Sequence, residues 1–169
     1  ASIKRSHLRA NVGTVMQEPF LFSRTLAENI GITQAELDMD EVKSAAKIAC
    51  LDGAIEGFAK GYDTFVGERG VTLSGGQKQR TAIARMLTRK TPIMVFDDSL
   101  SAVDAETDAK IRAALKETLG TATVFLISHR ISTLMEADKI IVLDRGRIAE
   151  MGDHESLMRI EGGIYRRIA

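Results

Sequence analysis

Short apolar runs alternate along the chain with longer stretches whose apolar positions recur at helical spacing, and that alternation predicts an α/β fold. Residues 1–11 are polar and basic and predict only a loop or a frayed start. Val12-Gly13-Thr14-Val15-Met16 reads as a strand that delivers Gln17 to a turn containing Pro19. Over residues 33–60 apolar positions fall at helical spacing. Asp38, Asp40 and Glu41 weight the first turn of a helix expected from about residue 40 to 51, as the helix dipole favours. Cys50 shares that pattern with Val42, Ala45, Ala46 and Ala49 and is expected to be a core thiol. Gly53, Gly57 and Gly61 punctuate the chain beyond this helix, so residues 31–72 read as a small helical subdomain between a core strand and loop (1–30) and a larger carboxyl-terminal part (73–169).

A second helix follows Leu73-Ser74-Gly75-Gly76-Gln77-Lys78-Gln79-Arg80, with Ala82, Ile83, Met86 and Leu87 on one face and Ser74 as its N-cap. Ile93 to Phe96 is too brief for a helix and has no alternation, which suggests a strand buried on both faces, as in a parallel sheet. After Asp104 an amphipathic helix places Ile111, Ala114, Leu115 and Leu119 on one face, with Gly120 just past its end. Thr123 to Ile127 is expected to be a second buried strand, and Ile140 to Leu143 reads as a further strand. Asp144-Arg145-Gly146 makes a turn into Arg147-Ile148-Ala149-Glu150, and Asp153 to Ile168 forms a helix or two.

Chemistry gathers at the ends of these elements. Glycines without Cβ let an anion approach the backbone, and N–H groups at a helix N-terminus favour negative charge, so Ser74-Gly75-Gly76 is built to touch phosphate. Asp97 and Asp98 close a buried strand, where open α/β sheets bind ligands and where a carboxylate with substrate phosphates can hold Mg2+. Gln17 offers an amide oxygen for a cation or a water. His129, after Ser128 at a strand end, can hydrogen-bond a phosphate or polarise water. Taken singly these are an ordinary cap, a turn and a structural histidine. Together and in this order they resemble the ATP-binding-cassette family. Leu73 to Gln77 resembles its signature motif, Ile93 to Asp97 its Walker B strand, Ser99 to Asp104 its D-loop, His129 its switch histidine and Gln17 its Q-loop glutamine.

The resemblance implies a P-loop NTPase (RecA-like) parallel-sheet core with the family's helical subdomain, ATP and Mg2+ as ligands, and a head-to-tail dimer with a second nucleotide-binding domain. In such a dimer Ser74, Gly75, Gly76 and Gln77 serve the partner's nucleotide. Asp97 and Gln17 hold the subunit's own metal, Asp98 and His129 act on its own γ-phosphate, and Asp104 belongs to the D-loop. Phe20 to Ile30 and Thr64 to Gly70 are similar to the exporter branch, which places a transmembrane partner near Phe20–Arg24 and Gly67–Gly70 and puts the domain on the cytoplasmic face of a membrane.

The 169 residues are enough for one core, and 23 basic against 23 acidic residues argue against nucleic-acid binding by bulk charge. The lone cysteine fits a reducing compartment. No secretory leader or apolar run near the roughly 20 residues of a membrane span is visible, so the chain itself is expected to be soluble. His7 and His154 are expected at the surface. Two departures from the family pattern matter. No Gly-Lys pair occurs, so the phosphate loop G-x-x-x-x-G-K-[ST] is missing. The chain is therefore expected to be the carboxyl-terminal portion of a nucleotide-binding domain, incomplete for want of the phosphate-loop strand, inactive alone and inclined to self-associate. Asp98 stands where hydrolysing members carry glutamate, withdrawing the carboxylate by roughly 1.5 Å, one C–C bond. It resembles the degenerate site of heterodimeric exporters, the alternative being a water that bridges the gap.

An exporter's ATP-hydrolysing module is the leading reading. The runner-up is a non-hydrolysing regulatory half-site that completes a partner's ATP site in trans. A DNA-maintenance ATPase would require heptad arms and a basic face, which the sequence lacks. An importer subunit is disfavoured by residues 20–30 and 64–70.

Overall fold

A computed structural model describes residues 3–70, 72–100, 102–120 and 122–169. Ser101, within the expected D-loop, lies outside them, as does the side chain of Leu119. The chain packs as two compact units that divide after Phe125.

In the first unit a helix that the sequence pattern does not predict, α1 (Arg5–Asn11), precedes β1 (Val12–Val15). It buries none of its residues, which is why no apolar pattern announces it. Next come a short strand β2 (Arg24–Thr25), α2 (Leu26–Ile30), α3 (Met39–Ile48), α4 (Asp52–Glu56) and β3 (Phe65–Val66). Asp38 caps α3, accepting from the Asp40 and Glu41 N–H groups at 2.9 and 3.2 Å. Cys50 corrects the expected core thiol. It lies beyond the end of α3, half-buried and in the left-handed region at φ 51°. Burial, then the charge of Asp52, raises its pKa.

The long helix α5 (Gly75–Leu87) turns Ala82, Ile83, Met86 and Leu87 inward, all at most 7% exposed. It lies against β1 so closely that a Cβ at Gly13 would come within 2.8 Å of the Met86 side chain. The strand β4 (Ile93–Asp97) pairs with β1 in parallel, in the register Val12–Ile93 to Val15–Phe96. Met94 and Phe96 are buried while Ile93, Val95 and Asp97 are half-buried, so the two faces of β4 are covered unequally rather than alike. After it, α6 (Ala105–Leu119) buries Ile111 and Leu115.

The strand β5 (Thr123–Ile127) leaves the first unit and extends the sheet in the order β1-β4-β5. Its burial was expected and is not observed: Val124, Phe125 and Ile127 are 38, 49 and 55% exposed. An apolar run reports that a strand needs cover, not that its own chain supplies it. In the second unit, α7 (Ile131–Leu134) leads to an antiparallel hairpin of β6 (Ile140–Asp144) and β7 (Arg147–Gly152). Its two-residue turn is Arg145-Gly146, both at positive φ, as the twist of a tight hairpin requires. Two short helices follow, α8 (His154–Met158) and α9 (Ile164–Ile168). His154 is not a free surface residue, since its Nδ1 lies 2.8 Å from the Tyr165 hydroxyl and its ring stacks edge-on with that tyrosine.

Candidate functional site

The mouth of α5 is built as its sequence predicts. Ser74 is extended at φ −65° and ψ 162°, its hydroxyl accepts from the Gln77 N–H at 3.3 Å, and its own N–H donates to Gln77 Oε1 at 2.9 Å. This reciprocal capping box engages two backbone donors. Gly75 and Gly76 follow as the first helical residues, with no side chain over the positive end of the helix. Ser74 and Gly75 are exposed, Gly76 and Gln77 half-buried. A Cβ at Gly76 would stand 3.0 Å from the carbonyl oxygen of Ala102, a tight contact that glycine avoids where this turn meets the loop between β4 and α6.

That loop carries the acidic residues. Asp97 ends β4, half-buried, and Asp98 follows in the left-handed region at φ 43°. A non-glycine residue held there is uncommon, and such positions concentrate at functional sites. Asp104 closes the loop as N-cap of α6, accepting from the Thr107 N–H at 2.9 Å. That backbone hydrogen bond, more than any nearby charge, lowers its pKa.

Gln17 lies two residues past Val15 and Asp97 one past Phe96, so parallel pairing of β1 and β4 brings both to the carboxyl ends of adjacent strands. A carboxylate beside an amide oxygen is the sparse, all-oxygen donor set Mg2+ accepts when phosphates complete its shell. Among the described residues no group of three His, Cys, Asp or Glu side chains forms a cage that would hold a metal alone. His129 is exposed in the second unit, after Ser128, whose hydroxyl accepts from the Arg130 N–H at 3.0 Å.

Three side chains of α5 that local spacing does not single out hold these loops in place. Gln79, 3% exposed, donates to the Gln17 carbonyl at 3.2 Å and accepts from the Ala102 N–H at 3.1 Å. Arg80 donates to the Cys50 carbonyl at 2.8 Å, tying α5 to the turn between α3 and α4. Arg85, whose pKa burial lowers, donates to the Asn29 and Phe20 carbonyls at 2.8 Å each and to Asn29 Oδ1 at 2.9 Å. Its guanidinium also lies 5.6 Å from the Phe22 ring centre. Nothing in the sequence nearby signals such roles, because the partners lie far off along the chain.

Phe20 and Phe22 stack edge-on at 5.0 Å while remaining 55 and 42% exposed. They precede β2, which pairs antiparallel with β3, Arg24 opposite Val66 and Thr25 opposite Phe65. The ladder thus joins the end of the Phe20–Arg24 segment to Phe65–Val66, just before Gly67. Phe20, Phe22 and Arg85 border a groove of about 260 Å³ with Gly13, Val15 and Pro19.

This arrangement is a capped helix mouth set beside the carboxyl end of a parallel sheet. The chain belongs to the ABC transporter family, whose model matches residues 1–101. It is 47% identical over 95% of its length to the Bacillus subtilis protein named "Uncharacterized ABC transporter ATP-binding protein YknU". Identity is 43% over 96% of the chain to the "Beta-(1-->2)glucan export ATP-binding/permease protein NdvA" of Rhizobium meliloti. It spans 27 and 28% of those two relatives' own lengths. A solved structure titled "Structure of a bacterial Atm1-family ABC exporter with ATP bound" superposes on 98% of the chain with a TM-score of 0.94 at 42% identity, using 29% of that protein. The fold is accordingly similar to that of an exporter's nucleotide-binding domain. Among the described residues no helix is long and apolar enough to cross a membrane.

Proposed function

We propose that these residues are the signature-bearing part of the nucleotide-binding domain of an ABC exporter, coupling ATP binding and hydrolysis to transport at the cytoplasmic face of a membrane. The observation that carries this is the capped, side-chain-free mouth of α5 seated against the loop from Asp97 to Asp104. In the proposed head-to-tail dimer, Ser74, Gly75, Gly76 and Gln77 present that positive helix end to the γ-phosphate held by the partner domain. Asp97 and Gln17 hold Mg2+ with the chain's own nucleotide, where the metal offsets phosphate charge. Asp98 is read as orienting the attacking water and His129 as the switch histidine, and Asp104 fixes the D-loop by capping α6. Phe20–Arg24 and Gly67–Gly70 receive the transmembrane partner. The exposed apolar positions of β5 support a further part of the proposal, that the phosphate-loop strand of the complete domain covers them.

In the complete transporter, Gly75→Asp puts a carboxylate where phosphate must approach, and ATPase activity should fall by about 100-fold or more. Asp98→Asn should cost much less, because that carboxylate already sits short of the usual glutamate position. Steady-state ATPase assays of the two variants decide it. Equal losses would remove the reading of Asp98 as a weakened, heterodimer-type site, and an unaffected Gly75→Asp would remove the proposal.

A further inference from the structure

Burying an amide side chain costs free energy unless both its ends are hydrogen-bonded, and an apolar residue of similar size would fill the same space without that cost. Gln79 is 3% exposed, and both ends are engaged by main chain from two other segments. Its donor holds the carbonyl of Gln17, 62 positions away, and its acceptor holds the N–H of Ala102, 23 positions away. Gln17 is the residue read as a metal and water ligand, and Ala102 lies between Ser99 and Asp104. Gln79 stands on the helix whose first turn is the signature, and that turn meets Ala102 a second time through Gly76.

We propose that Gln79 is a positioning residue that locks the Q-loop, the D-loop and the signature helix into one body. This inference rests on the exporter reading for the roles of the loops it joins. A shift of α5 toward or away from a nucleotide is passed by the Gln79 amide to the Gln17 backbone, and so to the aim of its exposed side chain. The same amide passes the shift to the D-loop backbone. Hydrolysis at the site to which Gln17 contributes then depends on how the signature of the same chain is seated, without Gln79 touching ATP.

The two hydrogen bonds are separable. Gln79→Met removes both. Gln79→Glu keeps an acceptor for the Ala102 N–H but sets an oxygen against the Gln17 carbonyl. In the complete transporter, both variants should lower kcat for ATP by about tenfold with KM changed less than about twofold, the scale set by losing net hydrogen bonding in an otherwise intact site. Hydrogen exchange of the peptide that covers Ala102 should accelerate in Gln79→Met and stay near wild type in Gln79→Glu. Wild-type kcat in Gln79→Met would overturn the proposal. So would a kcat loss that only tracks the folded fraction, or equal exchange at Ala102 in all three proteins. A wild-type transporter without ATPase activity would instead overturn the exporter reading, and the exchange comparison would still decide whether Gln79 holds the D-loop.

Discussion

Asp104, read as part of the D-loop, does its visible work as a helix cap. Its carboxylate accepts from the Thr107 N–H, and its pKa lies below the ordinary aspartate value for that reason first. Glu28 and Asp153 are lowered in the same way, by backbone hydrogen bonds to Thr25 and Ser156. A group whose pKa falls on folding stabilises the fold above its unfolded value, about 3.9 for aspartate, and loses that contribution as pH falls through the folded value. Asn caps about as well as Asp but does not titrate. Asp104→Asn should therefore leave Tm within about 2 °C of wild type at neutral pH. It should also flatten the decline of Tm as pH falls below the unfolded aspartate value of about 3.9 toward the lower folded value. Thermal melts across that window check it, and an unchanged slope would contradict the capping role.

At the scale of elements, α5 is the member on which the loops are mounted, and its polar side chains set the order of the region. Asn29 is fully buried and donates to the carbonyls of Phe22, Thr25 and Arg24 while accepting from the Phe22 N–H and from Arg85. Asn29→Ala strands several buried partners and should destabilise by about 3 kcal/mol, whereas Phe20→Ala at an exposed position should cost under about 1 kcal/mol. Urea unfolding of both variants tests this, and equal costs would mean that the clamp does not hold the loop. The same elements explain what the sequence made legible. The Ser74 cap, the buried face of α5 and the Arg145-Gly146 turn are set by residues within a few positions, so local spacing displays them. The roles of Gln79 and Arg85 are not legible, because their partners lie 62 and 65 positions away and a Gln or Arg on a helix otherwise reads as a solvated face. The helix α1 escapes notice for the opposite reason: it buries nothing, so it leaves no pattern.

At the scale of the whole molecule, the two compact units each leave apolar positions at the surface. In the strands these are Phe65 of β3, Val124, Phe125 and Ile127 of β5, and Ile141, Leu143, Ile148 and Met151 of the β6–β7 hairpin. The sequence marks β5 as buried because an apolar run reads the same whichever segment covers it. Family membership and the exporter-like fold agree with the motif order read from the residues. What these residues contribute to ATP chemistry is, in our proposal, the signature for a partner's nucleotide together with the carboxylates, glutamine and histidine for their own. The lysine and backbone cradle for the β- and γ-phosphates come from outside them. A calorimetric titration of this chain with ATP and Mg2+, at concentrations checked for self-association, tests that division most directly. Our account predicts no saturable binding up to about millimolar nucleotide, because sparse phosphate contacts without the cradle supply too little free energy. Saturable one-to-one binding in the micromolar range would contradict it, since the phosphates would then have found a cradle within these residues.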